Sequence, residues 1–179
     1  RNALRQLMPN NSVAVLFANP VRNRSNDVDY EYHQDPNFYY LTGLREPHAV
    51  LLIFKETQKF GDGTQTDEIV FLQKRDPGNE LWTGKRQGTE GALKFLGINT
   101  AFTGAEFAAF ETEFNTFDKI LITELPEDVK NTSEKDDLYN LINTFELKTE
   151  KSTNKIDTQE LKKMMAQLRQ IKSTEEIIL

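Results

Sequence analysis

AVLLIFKETQKFGDGTQTDEIVFLQK, residues 49–74, holds two apolar runs joined by a stretch of glycine, aspartate and threonine. Both runs, AVLLIFK and EIVFLQK, are nearly continuous in Val, Leu, Ile and Phe rather than alternating. That is the pattern of strands covered on both faces, and the polar residues between them read as a long hairpin loop. A doubly covered hairpin needs a layer on either side. SVAVLFA (12–18) and KILIT (119–123) read as further buried strands. ALRQLM (3–8) carries helical spacing and is stopped by Pro9, Asn10 and Asn11. A second helix is expected over 89–96 with Gly97 as its C-terminal stop. A third should begin at TGAEFAAFETEF (103–114), where Thr103 and Glu106 have capping-box spacing. The acidic stretch EDVKNTSEKDD (127–137) reads as a solvated loop entering a helix through Leu138, Leu141 and Ile142. Strands alternating with amphipathic helices predict an α/β fold, a three-layer mixed β-sheet flanked by helices.

The 179 residues are 37% apolar and 28% charged, ordinary for one globular domain. A net charge of −6 argues against nucleic acid or an anionic membrane as main partner, because both need a basic patch. No apolar run reaches the roughly 18–20 residues of a membrane span. There is no cysteine, which excludes disulfides, thiol catalysis and cysteine-type zinc sites, and a cytoplasmic location is the expectation.

DVDYEYHQD (27–35) raises a metal question, because Asp27, Asp29, Glu31, His33 and Asp35 alternate strictly. On an extended strand they would share one face. Spaced roughly 6.5–7 Å apart along a line, however, they cannot converge on one ion. Asp35-Pro36 also has the form of an N-cap followed by proline at the first helical position, with Gly43 as the stop. The stretch therefore reads as an exposed polar loop leading to a short capped helix. His33 and His48 are the only histidines, without paired-ligand spacing, and His48 reads as a hydrogen-bonded loop residue. TGKRQGTEG (83–91) lacks the spacing of a phosphate loop. Trp82, the only tryptophan, lies among turn residues and charges in RDPGNELWTGKRQG (75–88), where propensity predicts a surface loop. Either it folds back as an anchor or it projects outward towards a ligand or partner. Pro77, Gly78, Gly84, Lys85 and Arg86 around it favour the outward reading.

Near the end, DTQELKKMMAQLRQIKS (157–173) is a helix with Leu161, Met164, Met165, Leu168 and Ile171 on one stripe, and Asp157 and Glu160 stand at its start. STEEIIL (173–179) then opens another helix, with Ser173 as N-cap and Glu176 three residues on. One turn cannot hold itself together. The expectation is a piece of a longer protein whose remainder begins with that helix.

Taken together, RSNDVDYEYHQDPNFYYLTGLREPHAVLLIF, FLQKRDPGNELWTGKRQGTEGA and LRQIKSTEEI resemble the N-terminal domain of the Xaa-Pro aminopeptidases (aminopeptidase P) of the creatinase and prolidase family. Arg-Ser, Tyr-x-Tyr-x-Gln, Phe-Tyr-Tyr-Leu-Thr-Gly, Glu-Pro and Glu-x-Trp-x-Gly-x-Arg carry the likeness in order, whereas residues 99–154 hold no family signature. The resemblance implies a ribonuclease H-like sheet over residues 1–156, and a linker helix with the start of a C-terminal pita-bread domain over 157–179. That further domain would hold two Mn²⁺ through two Asp, one His and two Glu, leaving no metal ligand and no catalytic residue in this chain. The parent enzyme would release the first residue of a peptide whose second residue is proline. Within it, the loops bearing Asn37 and Trp82 would approach the substrate cleft, of the same or a neighbouring subunit, and the domain would support a homo-oligomer. Asn37 stands where many relatives carry an acid. Two other readings stay open: a non-catalytic binding or assembly module with the same fold, and a stand-alone hydrolase using the cluster from Asp27 to Asp35.

Overall fold

The computed structural model describes residues 1–170. In chain order the elements are α1 (Asn2–Leu7), β1 (Ser12–Phe17), β2 (Asn23–Ser25), β3 (Val28–Asp29), α2 (Pro36–Thr42), β4 (Val50–Lys59), β5 (Gln65–Leu72), α3 (Pro77–Thr83), α4 (Gly88–Phe95), β6 (Ala101–Thr103), β7 (Lys119–Ile122), α5 (Leu138–Thr149), β8 (Ile156–Asp157) and α6 (Gln159–Gln170). Six strands form one sheet in the order β6-β5-β4-β1-β7-β8, and β2 and β3 form a small separate ribbon. The β4-β5 hairpin is antiparallel with Leu51 opposite Val70. β1 pairs antiparallel with β4 and parallel with β7, while the outer pairs β5-β6 and β7-β8 are parallel. An antiparallel meander extended by parallel strands is the ribonuclease H-like order that the resemblance implies.

β1 is buried along its whole length, as its unbroken apolar run requires. Its alternate residues feed two cores. Ala14 and Leu16 face Leu4, Phe38, Leu41, Ala92, Leu161 and Met165, so α1, α2, α4 and α6 cover that side. Val13, Val15 and Phe17 face Phe71, Phe107, Phe114, Phe117 and Phe145 on the other. The helix at the end of the chain is thus part of the first layer, with Leu161, Met164 and Met165 buried. Its first turn is held by Asp157, whose Oδ1 accepts from the Gln159 and Glu160 amides at 2.9 and 2.8 Å. Ile171 and the helix expected from Ser173 lie outside the described residues.

The sequence-based expectation fails in the second cover. Thr103 and Glu106 do form a capping box, yet only a three-residue 3-10 turn, Gly104–Glu106, follows, and another spans Phe114–Thr116. The aromatic side chains explain the difference. Phe107 and Phe110 pack on Phe71 of β5, Phe114 packs edge-on to Phe145 of α5, and Phe117 stacks on Phe54 of β4. These contacts spread across the sheet, and their burial outweighs a local helix signal worth little alone.

One buried carboxylate on the helical side was not singled out from the sequence. Glu68 of β5 lies on the face of α1, where Arg1 and Arg5 pair with it at 2.8 and 3.2 Å. The Asn99 amide donates to its other oxygen at 3.1 Å. This ties α1 to β5 and to the turn after α4.

Candidate functional site

At one end of the sheet the chain leaves β1, enters β4 and leaves β5. There Tyr32, Gln34, Glu46 and Arg86, drawn from the segments that flank α2 and from the one after α3, come together. Gln34 is the hub. Its Oε1 accepts from the Asn19 amide at 2.9 Å and the Asp35 amide at 3.0 Å, and the Tyr32 hydroxyl lies 2.9 Å away. Its Nε2 donates to the carbonyls of Glu46 at 2.8 Å and Leu44 at 3.3 Å. One side chain thereby fixes the exit of β1, the entry to α2 and the approach to β4. Burial pushes the Tyr32 phenol well above the usual tyrosine range, so it stays protonated at any ordinary pH.

Glu46 extends the network. Its Oε1 accepts from the Gln87 amide at 2.7 Å, and its Oε2 is buried with no hydrogen-bond partner among the described residues. Burial pushes its carboxyl up, partly offset by the Gln87 amide and by Arg86. His48 follows in a left-handed conformation, φ 58°, and its Nδ1 accepts from the Leu138 amide at 2.9 Å at the start of α5. That bond assigns the proton of the neutral ring to Nε2. Burial lowers the imidazole pKa, against the opposing pull of Asp137 and Asp136. Glu46, His48, Tyr32, Lys85 and Arg86 line a cavity of about 520 Å³. His48 is thus the hydrogen-bonded residue its position suggested.

The tryptophan segment is a short helix rather than the loop expected from its turn residues. Asp76 starts it, accepting from the Gly78 amide at 3.0 Å through its side chain and from Glu80 at 2.8 Å through its carbonyl. Arg75 clamps it with a two-pronged bond to Glu80, at 3.0 and 2.8 Å. On this mount Trp82 is 90% and Leu81 83% exposed, so the outward reading of Trp82 describes its position. Past the helix, Gly88 has φ +60°, and a Cβ there would come within 2.7 Å of Arg75 Cγ, so only glycine lets the chain pass.

Asn37 sits in the first turn of α2. The Asp35 carboxylate caps this helix, accepting from the Asn37 and Phe38 amides at 2.9 and 2.8 Å, and Gly43 ends it at φ 71°. Asn37 Oδ1 accepts from Arg169 at 3.0 Å, linking α2 to the last turn of α6. Neither Asn37 nor Trp82 lines the cavity beside His48.

The alternating acids do not gather. Asp35 is spent on the cap, and Asp29 Oδ1 accepts from Asn23 Nδ2 at 3.2 Å within the β2-β3 ribbon. Among the described residues no group of three or more His, Cys, Asp or Glu converges, so residues 27–35 do not fit a metal. A stand-alone hydrolase built on this cluster lacks a ligand set. No helix among the described residues is long and apolar enough to cross a membrane.

The family model for the aminopeptidase P N-terminal domain matches residues 1–121. The Xaa-Pro aminopeptidase of Haemophilus influenzae is 35% identical over 176 residues, 96% of this chain and 35% of that protein. The chain therefore spans about a third of the length of that curated relative. Escherichia coli aminopeptidase P solved with the inhibitor Pro-Leu superposes with a TM-score of 0.72 at 26% identity, over 99% of this chain and 38% of that one. A zinc-substituted form of the E. coli enzyme in complex with product gives a TM-score of 0.68 at 26% identity, over 99% and 39%.

Proposed function

Because the chain belongs to the family of aminopeptidase P N-terminal domains, we propose that it is the non-catalytic N-terminal part of a cytoplasmic, dimetal Xaa-Pro aminopeptidase. The whole enzyme releases the residue that precedes proline at a peptide's amino terminus. The carrying observation is the end-to-end likeness to the Haemophilus Xaa-Pro aminopeptidase, which covers nearly all of this chain and about a third of that protein. Proline leaves the scissile bond without an N–H and restricts the residue before it, so the bond calls for a dedicated enzyme. The two metals, Mn²⁺ in this reading, belong to the remainder of the enzyme, and no step of the reaction runs through a residue described above.

This domain's contribution is a wall. Trp82 and Leu81, held out on α3 by the Arg75–Glu80 clamp, offer an apolar surface to a substrate cleft, their own or that of a neighbouring subunit in a homo-oligomer. Asn37, steadied by Arg169, lines the same approach from α2. The exposed pair would equally suit a pure assembly module, and the activity of the full-length protein separates the two readings. Full-length protein should cleave Xaa-Pro-Yaa peptides and spare the Xaa-Ala-Yaa counterparts. Trp82→Ala should lower that activity while leaving the melting temperature of this domain nearly unchanged, since the ring buries little. A buried aromatic would cost about 3–5 kcal/mol on truncation. Equal cleavage of both peptides, or a mutant domain that melts many degrees lower, defeats the proposal.

A further inference from the structure

Residues 76–87, which carry α3, leave and rejoin the body through a narrow neck: the Arg75 backbone nitrogen lies 3.4 Å from the position a Cβ on Gly88 would take. The bonds described for this segment are local. Asp76 and the Arg75–Glu80 pair hold the start of the helix, and the Gly84 amide donates to the Glu80 carbonyl at 3.1 Å near its end. Such bonds shape the helix but do not fix the direction in which it points. Gly84, at φ +83° with open space where a Cβ would stand, leaves a permissive joint between Trp82 and the neck.

Glu46 supplies a restraint from outside the segment. Its Oε1 accepts from the Gln87 amide at 2.7 Å, between the joint at Gly84 and the crossing at Gly88. The carboxylate is itself on a fixed mount. Pro47 restricts the Glu46 backbone to extended geometry, and the Glu46 carbonyl accepts from Gln34 Nε2 at 2.8 Å. For stability alone this carboxylate is a poor choice. It is half-buried, and its Oε2 has no hydrogen-bond partner among the described residues. Taking a charge out of water costs more than one amide hydrogen bond returns. A charge kept at the neck of a locally held segment fits a role in fixing geometry instead.

Resting on the reading of Trp82 as a wall of the cleft, we propose that Glu46 is the positioning residue of that wall. By holding the Gln87 amide it sets the direction in which α3 presents Trp82, without touching substrate itself.

The test combines hydrogen exchange and kinetics on the full-length protein. Glu46→Ala should speed amide exchange over residues 78–87 by about tenfold or more, the worth of a hydrogen bond to a charged group, while β4, β5 and α5 exchange as in wild type. Glu46→Gln, which keeps an accepting oxygen, should restore most of the protection. On Xaa-Pro-Yaa peptides Glu46→Ala should lower kcat/KM towards that of Trp82→Ala. The double variant should be no worse than Trp82→Ala alone, because Glu46 acts through Trp82. Should Glu46→Ala not fold, Gln87→Pro removes the same hydrogen bond from the other side, at a residue whose φ of −69° suits proline, and must give the same pattern. Unchanged exchange over 78–87, protection lost equally from β4, β5 and α5, or additive losses of activity overturns the proposal. If Trp82→Ala alone leaves activity intact, the wall reading has failed, and the exchange pattern still decides whether Glu46 holds α3.

Discussion

Replacing Gln34 with alanine removes the hub that joins β1, α2 and the entry to β4. The amides of Asn19 and Asp35 and the carbonyls of Leu44 and Glu46 lose their partner together. The side chain is half-buried, so water reaches some of these groups and not others. If two stay dry at about 1–2 kcal/mol each, the loss is about 2–4 kcal/mol. For a chain of this length that lowers Tm by roughly 5–15 °C. Far-UV circular dichroism is the appropriate assay, because Trp82, the only tryptophan, is already in water in the folded state and its emission reports little. Gln34→Glu sharpens the test. It keeps the accepting oxygen but turns the Nε2 donor into a second acceptor facing two carbonyls. The charged form is then disfavoured by folding, so the folded pKa of the new carboxyl rises above the unfolded value of about 4.3. The penalty relative to wild type is full above the folded pKa, shrinks as pH falls below it and is smallest below the unfolded value, where the protonated carboxyl donates to one of the two carbonyls. An alanine variant within about 1 kcal/mol of wild type, or a glutamate variant whose deficit ignores pH, would refute the reasoning.

Two further outcomes follow from the same geometry. The folded pKa of His48 is lowered, so the stability tied to its neutral ring is complete above the unfolded value of about 6.5 and is lost as pH falls from there through the folded pKa; denaturant unfolding across that window should show the loss, and His48→Gln should flatten it. Asp35→Ala removes the acceptor for two amides at the start of α2 and should cost about 1 kcal/mol, read as a shift in the urea midpoint at constant slope.

What the sequence revealed depended on whether the signal was local. The Asp35 cap, the Gly43 stop and the unbroken runs of β1, β4 and β5 are set by neighbours a few residues away and lie where the pattern put them, but β4 runs on to Lys59 and β5 starts at Gln65, so the hairpin loop is shorter than its polar residues predict. The segment after Thr103 carries an equally local cap, but its phenylalanines answer to β4, β5 and α5, which lie far along the chain. Residues 27–35 are the polar stretch and helix cap that the pattern predicts, and only their inward-turning residues escape it. The alternation is real, but the side that matters is the one the acids do not occupy, where Tyr32 and Gln34 turn inward. Trp82 was legible as exposed from its polar surroundings; its helical mount was not, because the Arg75–Glu80 clamp has no periodic signature.

The pairing of β1 has a consequence for how the chain acquires its shape during synthesis. Its antiparallel partner β4 and that strand's neighbour β5 are complete by Leu72, so a three-stranded meander can assemble early. Its parallel partner β7 begins only at Lys119, and α6, which covers one apolar side, extends to Gln170. At roughly 5–20 residues per second, that side waits about 5–20 s after the meander is made. Until Ile122 is made β1 is an unpaired edge, and its α6-facing flank stays uncovered for the whole interval, the form most open to mispairing or to capture by a chaperone. Docking of Leu161, Met164 and Met165 ends the exposure, so the last helix described serves as the closing clasp of a vectorial folding process.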